Sequence, residues 1–170
     1  MPAIDRLMLR PNKERAQTTV WLTPPKLLER LGHFDLDPCA AVGQLWKTAD
    51  TMWTEQDDGL SKEWFGRVFV NPPYGLSARK FLEKMVGHDD GLLLISLRGD
   101  AHYFHDLVWN RARAMLVFRR RIKFFRPDGT ESSGDLGGAS ALFAYGQDNV
   151  ECLRSLRDLG YFTNLTRTVR

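Results

Sequence analysis

The sequence has few cysteines and no long apolar run, and both shortages limit the classes of protein it can encode. Its two cysteines, Cys39 and Cys152, lie far apart and neither belongs to a CxxC pair, so zinc knuckles and a disulfide framework are poorly supported. No stretch approaches the roughly 18 consecutive apolar residues of a membrane span, and the first 17 residues lack the apolar core of a signal peptide. We therefore expect a cytoplasmic protein with no metal and no membrane partner.

The size and charge of the chain favour one compact unit that tolerates a polyanionic partner. The 170 residues are 43% hydrophobic, which is enough for one sizeable core, and the sequence contains no internal repeat or linker. It predicts a mobile arm over residues 1–18 and a single domain, expected to be monomeric, over residues 19–170. The net charge of +3 and the pI near 9.0 permit binding to a nucleic acid without requiring it.

Apolar runs and turn residues predict strands that alternate with helices, an order that indicates an α/β sheet with mostly parallel strands and flanking helices. The segment PDGTESSGDLGG, residues 127–138, is rich in glycine, serine and acids and predicts a flexible loop. The predicted strands are HFDL, TMWT, GRVFVN, GLLLISL, AMLVF, RRIKFF and ASALFAYG, and the predicted helices are PPKLLERL, the segment from an N-cap at Ser77 to about Gly87, AHYFHDLVWNRA and NVECLRSLRDLG.

The stretch VNPPYG, residues 70–75, places an amide, two prolines and an aromatic ring directly after an apolar run. Proline has no N–H, so Pro72 and Pro73 present carbonyl oxygens without competing donors, and their fixed φ angles stiffen the turn. The side-chain carbonyl of Asn71 is a second acceptor, and the Tyr74 ring can stack on a planar base. Two rigid acceptors suit an exocyclic NH2 group, so the stretch predicts an amine held for attack on an electrophile such as a sulfonium methyl group.

The placement of NPPY favours this chemistry over a simple turn. Asparagine and proline are good turn formers, so the four residues alone are also consistent with a strand that ends in a tight turn. However, NPPY and the DPCA segment, residues 37–40, each follow a predicted strand. Ligands of parallel α/β sheets bind at the carboxyl ends of the strands, so the two segments are expected to line one site.

Five motifs in a shared order resemble one enzyme family. They are WxTP, DLDPCA, DDGL, VNPPYG and RIKFF, and the likeness runs from about residue 19 to residue 146. NPPY resembles motif IV of amino-group methyltransferases that use S-adenosylmethionine, and the whole order resembles the small phage-type Dam-like DNA N6-adenine methyltransferases. The resemblance implies a Rossmann-like methyltransferase fold and methylation of N6 of a flipped adenine in double-stranded DNA.

The resemblance also implies roles for individual positions. Asn71 and the carbonyl of Pro72 would hold the target amine in the turn stiffened by Pro73, and Tyr74 would stack on the base. The cofactor S-adenosylmethionine would supply the methyl group, so no metal and no protein nucleophile is needed. The implied cofactor contacts are Trp21, Thr23, Pro24, Asp37, Pro38, Cys39, Ala40 and one of Asp57 and Asp58.

Three of the implied cofactor contacts have a structural alternative, and a lone tryptophan such as Trp21 is more often a core or staple residue than a ligand contact. An aspartate at a strand end, such as Asp37, commonly caps the following turn, and DDGL forms a good turn whatever it binds. The choice between Asp57 and Asp58 stays open at this point. The segment after the first strand contains only Gly43 in place of a GxG loop, and the spacing from DPCA to NPPY leaves room for one reduced strand-helix unit.

One basic stripe, the segment RRRIKFFR at residues 119–126, is expected to contact DNA phosphates. The alternative is a solvated edge strand whose charges deter aggregation. The basic residues of the stripe are Arg119, Arg120, Arg121, Lys123 and Arg126.

Three rival functions remain alongside DNA adenine methylation. They are a catalytically silent DNA-binding module on the same scaffold, methylation of glutamine in proteins, and methylation of RNA. Pro38 and Cys39 superficially resemble the nucleophilic dipeptide of cytosine-C5 methyltransferases, but an ENV-type acidic motif is absent from the sequence. Cys39 is therefore predicted to be a packing residue.

Overall fold

The apolar runs of the sequence form the inner strands of a seven-stranded sheet. The structure, a computed structural model, describes residues 20–73, 75–132 and 138–165, and the strand order within these ranges is β2-β1-β3-β4-β6-β5-β7. The strands are β1 (Leu36–Asp37), β2 (Thr51–Met52), β3 (Val68–Val70), β4 (Gly91–Ser96), β5 (Ala114–Phe118), β6 (Ser140–Tyr145) and β7 (Gly160–Asn164). The helices are α1 (Pro25–Leu31), α2 (Leu76–His88), α3 (His102–Phe104), which continues as a π-helical turn (His105–Trp109), and α4 (Gln147–Ser155).

The sheet is mixed, so the prediction of mostly parallel strands is wrong. β1 pairs in parallel with β2 and β3, and β3 pairs in parallel with β4. β6 lies between β4 and β5 and is antiparallel to both, and β7 is antiparallel to β5. The chain passes from β5 to β6 without an intervening helix among the described residues, and antiparallel neighbours need no helical crossover.

Side chains of alternate strand residues enter two cores, one on each face of the sheet. In β3, Phe69 packs with Leu28 and Leu31 of α1, whereas Val68 and Val70 pack on the opposite face, where α2 lies. This alternation is the period of two that a strand imposes. Both faces are covered by helices, and the continuous apolar run of β3 is therefore fully buried. No helix in the described ranges is both long and apolar enough to cross a membrane.

Two predicted elements differ from the structure. RRIKFF does not form a strand, because β7 occupies the edge of β5; within it only Phe125 makes isolated bridges, to Leu22 and Glu131. β7 itself was not predicted. Ser77 does not cap α2, which instead begins after Gly75, whose φ of 116° is accessible to glycine. The predicted mobile arm and residues 133–137 of the predicted loop lie outside the described residues.

The segment between β1 and β3 is reduced, as the short spacing from DPCA to NPPY predicted. It contains β2 and a series of turns but no helix.

Strands β1, β3, β4 and β5 run in the same direction, because β6 is antiparallel to both β4 and β5. Their carboxyl ends therefore lie along one edge of the sheet, where the loops that follow β1 and β2 help to line a cavity. We refer to this edge as the carboxyl edge.

Candidate active site

The carboxyl edge contains a cavity of about 520 Å³, which we call the first cavity. Its wall joins the turns after β1 and β3, the DDGL turn and the segment before α1. These are the segments that the motifs had predicted to lie together. Of the predicted site residues, those that line it are Trp21, Thr23, Asp37, Pro38, Cys39, Ala40, Asp58, Asn71, Pro72 and Pro73.

Two predicted cofactor contacts lie elsewhere. Pro24 is not among the residues that line the first cavity; it precedes α1, where its carbonyl oxygen accepts hydrogen bonds from the backbone N–H groups of Leu27 and Leu28. Asp57 does not line the cavity in the described chain either. Tyr74 lies outside the described residues, so its predicted stacking on the base stays a prediction.

The side-chain amide of Asn71 is held by the segment before α1. Its Nδ2 atom donates to the backbone carbonyl of Trp21 at 3.1 Å and to the hydroxyl of Thr23 at 3.2 Å. Among the described residues, no hydrogen-bond donor contacts its Oδ1 atom. Since both hydrogens of the amide nitrogen are used, Asn71 retains its Oδ1 atom as one strong acceptor.

The turn after β1 is organised by Asp37, which is buried at 4% exposure. Its Oδ1 atom accepts from the backbone N–H of Cys39 at 3.0 Å, and its Oδ2 atom accepts from the hydroxyl of Thr48 at 2.5 Å. Burial raises the pKa of Asp37 from 3.8 to about 6, although the hydrogen bonds from Thr48 and Cys39 oppose the rise. Asp37 therefore caps the turn after β1, the structural role that is common for an aspartate at a strand end.

Cys39 is placed as a packing residue. Burial, followed by the charge of Asp37, raises the pKa of its thiol well above the ordinary value. A nucleophilic cysteine requires the thiolate, which this environment disfavours. The backbone N–H of Asn71 is directed at the sulfur and has the opposite, smaller effect on the pKa, so Cys39 joins the turn after β1 to the turn after β3.

The DDGL turn presses directly against the turn after β1. A Cβ atom added at Gly59 would overlap the carbonyl oxygen of Pro38, so a glycine is required for this approach. The turn is fixed from below by Trp64, whose Nε1 atom donates to the carbonyl of Gly59 at 2.8 Å, and by Lys84, whose Nζ atom donates to the carbonyl of Leu60 at 2.7 Å. The chain has no GxG loop after β1, and Gly59 provides a close backbone contact with the turn at that position.

The two aspartates of DDGL have different positions. Asp57 Oδ2 accepts from the backbone N–H and the hydroxyl of Thr54 at 2.9 and 3.0 Å, and these hydrogen bonds lower the pKa of Asp57. Asp58 lies on the wall of the first cavity and has a left-handed φ of 51°. The geometry therefore favours Asp58 over Asp57 as a group that faces a ligand.

Several cavity residues were not predicted from the sequence. Glu55 follows β2, and Gln44 belongs to the loop after β1; both line the first cavity. The Nε2 atom of Gln44 is buried and has no hydrogen-bond partner among the described residues. An acid shortly after the second strand is a common signal for ribose binding in related sheets, and it could have identified Glu55. The other unpredicted lining residues include Thr48, Thr54, Ser77, Phe81 and Pro127.

A second cavity of about 350 Å³ adjoins the first. Both share the residues Asn71, Pro72 and Pro73, so this turn forms the wall between them. The second cavity continues along the end of β4 to Ser96 and to Tyr103 at the start of α3. Two ligand groups, one in each cavity, would therefore meet at the Asn71 side chain.

The basic stripe begins at the carboxyl edge, immediately after β5. Arg119, Arg120, Arg121 and Lys123 are exposed, and Arg126 is half-buried. Lys123 Nζ lies 3.6 Å from Glu131 Oε2 across the Phe125 bridge. In the part of the chain that the structure describes, no group of three or more histidine, cysteine or acidic side chains could hold a metal ion.

An α/β sheet with a ligand cavity at the carboxyl ends of its parallel strands is the arrangement of Rossmann-like enzymes that bind nucleotide cofactors. A family model described as DNA N-6-adenine-methyltransferase (Dam) matches residues 10–152. Because this match covers more than half of the chain, the protein belongs to that family, and the resemblance found in its motifs is confirmed. No curated protein matches the chain, and no solved structure matches it.

Proposed function

We propose that this protein transfers a methyl group from S-adenosylmethionine to N6 of a specific adenine in double-stranded DNA. The observation that carries the proposal is the state of Asn71, whose amide nitrogen is engaged by Trp21 and Thr23 while its oxygen keeps accepting capacity at the wall shared by the two cavities. Family membership supports adenine in DNA as the substrate. We also propose that it acts in the cytoplasm of a bacterial or phage-infected cell, where its DNA substrate would be found.

The first cavity fits S-adenosylmethionine in size and in its donors and acceptors. A cavity of about 520 Å³ lies within the usual range of roughly 300–1,000 Å³ for small-molecule sites. Asp58 would accept a hydrogen bond from the adenine amine of the cofactor, and Glu55 would accept from the ribose hydroxyls. The unpaired Nε2 atom of Gln44 could satisfy an acceptor of the bound molecule after a small side-chain movement.

The methionine end of the cofactor would lie against the turn after β1. Asp37, Pro38, Cys39 and Ala40 line that part of the cavity, and Asp37 is the acidic group available to the ammonium. Trp21, which also lines the cavity, would attract a sulfonium through its ring. When bound, the cofactor supplies an electrophilic methyl group.

The protein groups around the target amine act by orientation and electrostatics. Asn71 Oδ1 and the carbonyl of Pro72 would accept the two N6 hydrogens, which draws them into fixed directions and leaves the nitrogen lone pair available. The same oxygens would stabilise the positive charge that develops on the nitrogen as the N–CH3 bond forms and the S–CH3 bond breaks. S-adenosylhomocysteine would then leave, and one of the two N6 protons would pass to solvent. Proline at position 72 keeps a competing N–H out of the site.

The target base would occupy the second cavity, which shares the Asn71 turn with the first. A base must leave the duplex to reach it, at a cost of roughly a few kcal/mol. Tyr74 is proposed to stack on that base. The exposed residues Arg119 and Arg120 would bind phosphates beside the carboxyl edge and offset part of the cost.

The direct test is incubation with unmethylated DNA and tritiated S-adenosylmethionine, followed by nucleoside analysis. We expect label in N6-methyldeoxyadenosine, loss of labelling in Asn71→Ala, and substantial labelling in Cys39→Ser, since the thiol is a packing group. In parallel reactions with RNA or with protein, label in RNA or in protein glutamine but not in DNA would show that DNA is not the substrate. DNA binding without any labelling would indicate the catalytically silent module.

A further inference from the structure

The orientation of the Asn71 amide is set by groups outside the NPPY motif. A side-chain amide is a donor at nitrogen and an acceptor at oxygen, and rotation by half a turn exchanges the two. Here the nitrogen meets two oxygens, the carbonyl of Trp21 at 3.1 Å and the hydroxyl of Thr23 at 3.2 Å. The Trp21 carbonyl is an acceptor only, so the reversed amide would place its oxygen against that oxygen and lose this hydrogen bond, whereas the Thr23 hydroxyl can turn either to accept or to donate.

The two orienting oxygens belong to a segment that is itself fixed. Leu22 forms two backbone hydrogen bonds with Phe125, at 2.8 and 3.0 Å. The Nε1 atom of Trp46 donates to the carbonyl of Thr23 at 2.9 Å. Thr23 is only 2% exposed. Since this segment is anchored to the loops after β1 and β5, it offers Asn71 a rigid pair of acceptors.

We propose that the Thr23 hydroxyl and the Trp21 carbonyl are positioning groups that lock the Asn71 amide with its oxygen toward the target base. The lock presents two acceptors, Asn71 Oδ1 and the Pro72 carbonyl, to a base that carries an amino group. A base with a carbonyl at the same position would place its oxygen against these two acceptor oxygens and form no hydrogen bond with either. This assignment rests on the proposed function and extends it to the selection of amino bases.

Three roles of Thr23 predict different effects of its replacement. As a cofactor contact, its loss would weaken S-adenosylmethionine binding but leave the rate at saturation unchanged. As a packing residue, its replacement by the similarly shaped valine would change stability alone. As a positioning residue, its hydroxyl would control the methyl transfer rate and the choice between adenine and a carbonyl base.

The experiment compares Thr23→Val, Thr23→Ser and the unmodified protein in single-turnover methylation at saturating S-adenosylmethionine. We expect Thr23→Val to lower the rate about tenfold, the effect of one lost hydrogen bond on the oriented amide. Cofactor affinity, measured by calorimetry, should change less than about twofold. Thr23→Ser retains the hydroxyl and should restore most of the rate. Thr163→Val in β7, which lines neither cavity, is the matched control.

The second readout is binding to DNA in which hypoxanthine replaces the target adenine. Hypoxanthine carries a carbonyl where adenine carries its amine. In Thr23→Val the Trp21 carbonyl alone holds the Asn71 nitrogen, so the amide can leave this position and turn its nitrogen to the base at the cost of one hydrogen bond in place of two, and the preference for adenine over hypoxanthine should fall by up to about tenfold. A purely structural change would not alter this ratio.

The outcomes separate the assignment from the function on which it rests. Equal rates and equal preferences in Thr23→Val and the unmodified protein would overturn the assignment alone. Equal losses in the serine and valine variants, or a weaker cofactor affinity with an unchanged saturated rate, would also overturn it. Failure of the unmodified protein to methylate any DNA would overturn the proposed function, and the positioning role with it.

Discussion

The buried carboxyl group of Asp37 should give the protein a specific dependence of stability on pH. Burial raises its pKa from 3.8 to about 6, so the folded state binds the proton more tightly than the unfolded chain. The stabilisation is complete below pH 3.8 and is lost as the pH rises through about 6. A difference of this size corresponds to about 3 kcal/mol of unfolding free energy.

Asp37→Asn isolates this contribution. An asparagine keeps the oxygen that accepts from the Cys39 N–H, and its amide nitrogen can donate to the Thr48 hydroxyl, so both contacts of the aspartate have counterparts. The free energies of unfolding of the variant and the parent are measured by urea titration from pH 4 to pH 8. Relative to the parent, the variant should gain about 2.5 kcal/mol between the two ends of that range, because part of the effect is already present at pH 4.

Asp50 is a control with the opposite sign. It is exposed, and its hydrogen bond from His33 at 2.9 Å lowers its pKa. Asp50→Asn should therefore lose stability relative to the parent as the pH rises through the acid range. If the difference between Asp37→Asn and the parent were the same at every pH, the Asp37 carboxyl would titrate normally and the reasoning about its burial would be refuted.

Three further predictions concern the turns and surfaces around the cavities. Gly59→Ala should lower the unfolding free energy by several kcal/mol because the new Cβ meets the Pro38 carbonyl. Gly87→Ala, in open space on α2, should raise the unfolding free energy by about 0.5–1 kcal/mol. Thermal unfolding compares the two variants, and equal effects would contradict the close approach of Gly59 to Pro38. Asp58→Ala should weaken S-adenosylmethionine binding at least about tenfold by calorimetry, through the lost hydrogen bond to the cofactor, and an unchanged affinity would remove Asp58 from the site. Replacing Arg119 and Arg120 by alanine should reduce the salt slope of DNA affinity by about one per residue, and an unaltered slope would place the DNA on another surface.

The local motifs could be predicted because their own residues determine them. The run from Val68 to Val70 is apolar at every position and ends in Asn71 and two prolines, so both the buried strand and its rigid end follow from a short stretch of sequence. The strand β1 with its terminal aspartate follows from the alternation in HFDLD. The family could be identified because these motifs occur in a fixed order.

The contacts between motifs could not be predicted, because they join residues far apart in the chain. Asn71 and Thr23 are separated by 48 positions, and only the path of the folded backbone brings the hydroxyl to the amide. The mixed sheet was missed for a similar reason. β7 takes the edge that RRIKFF was expected to fill, and the short segment GYFTN has too few residues to show its pairing partner. The contact of Gly59 with Pro38 likewise depends on the approach of two separate turns.

The most direct test of the central claim is a crystal structure of the protein with S-adenosylhomocysteine and DNA that contains its target site. We expect an extrahelical adenine whose N6 atom lies within hydrogen-bond distance of both Asn71 Oδ1 and the Pro72 carbonyl, with Asn71 Nδ2 still bound to Trp21 and Thr23. A base amine bound elsewhere, or an Asn71 nitrogen turned toward the base, would contradict it.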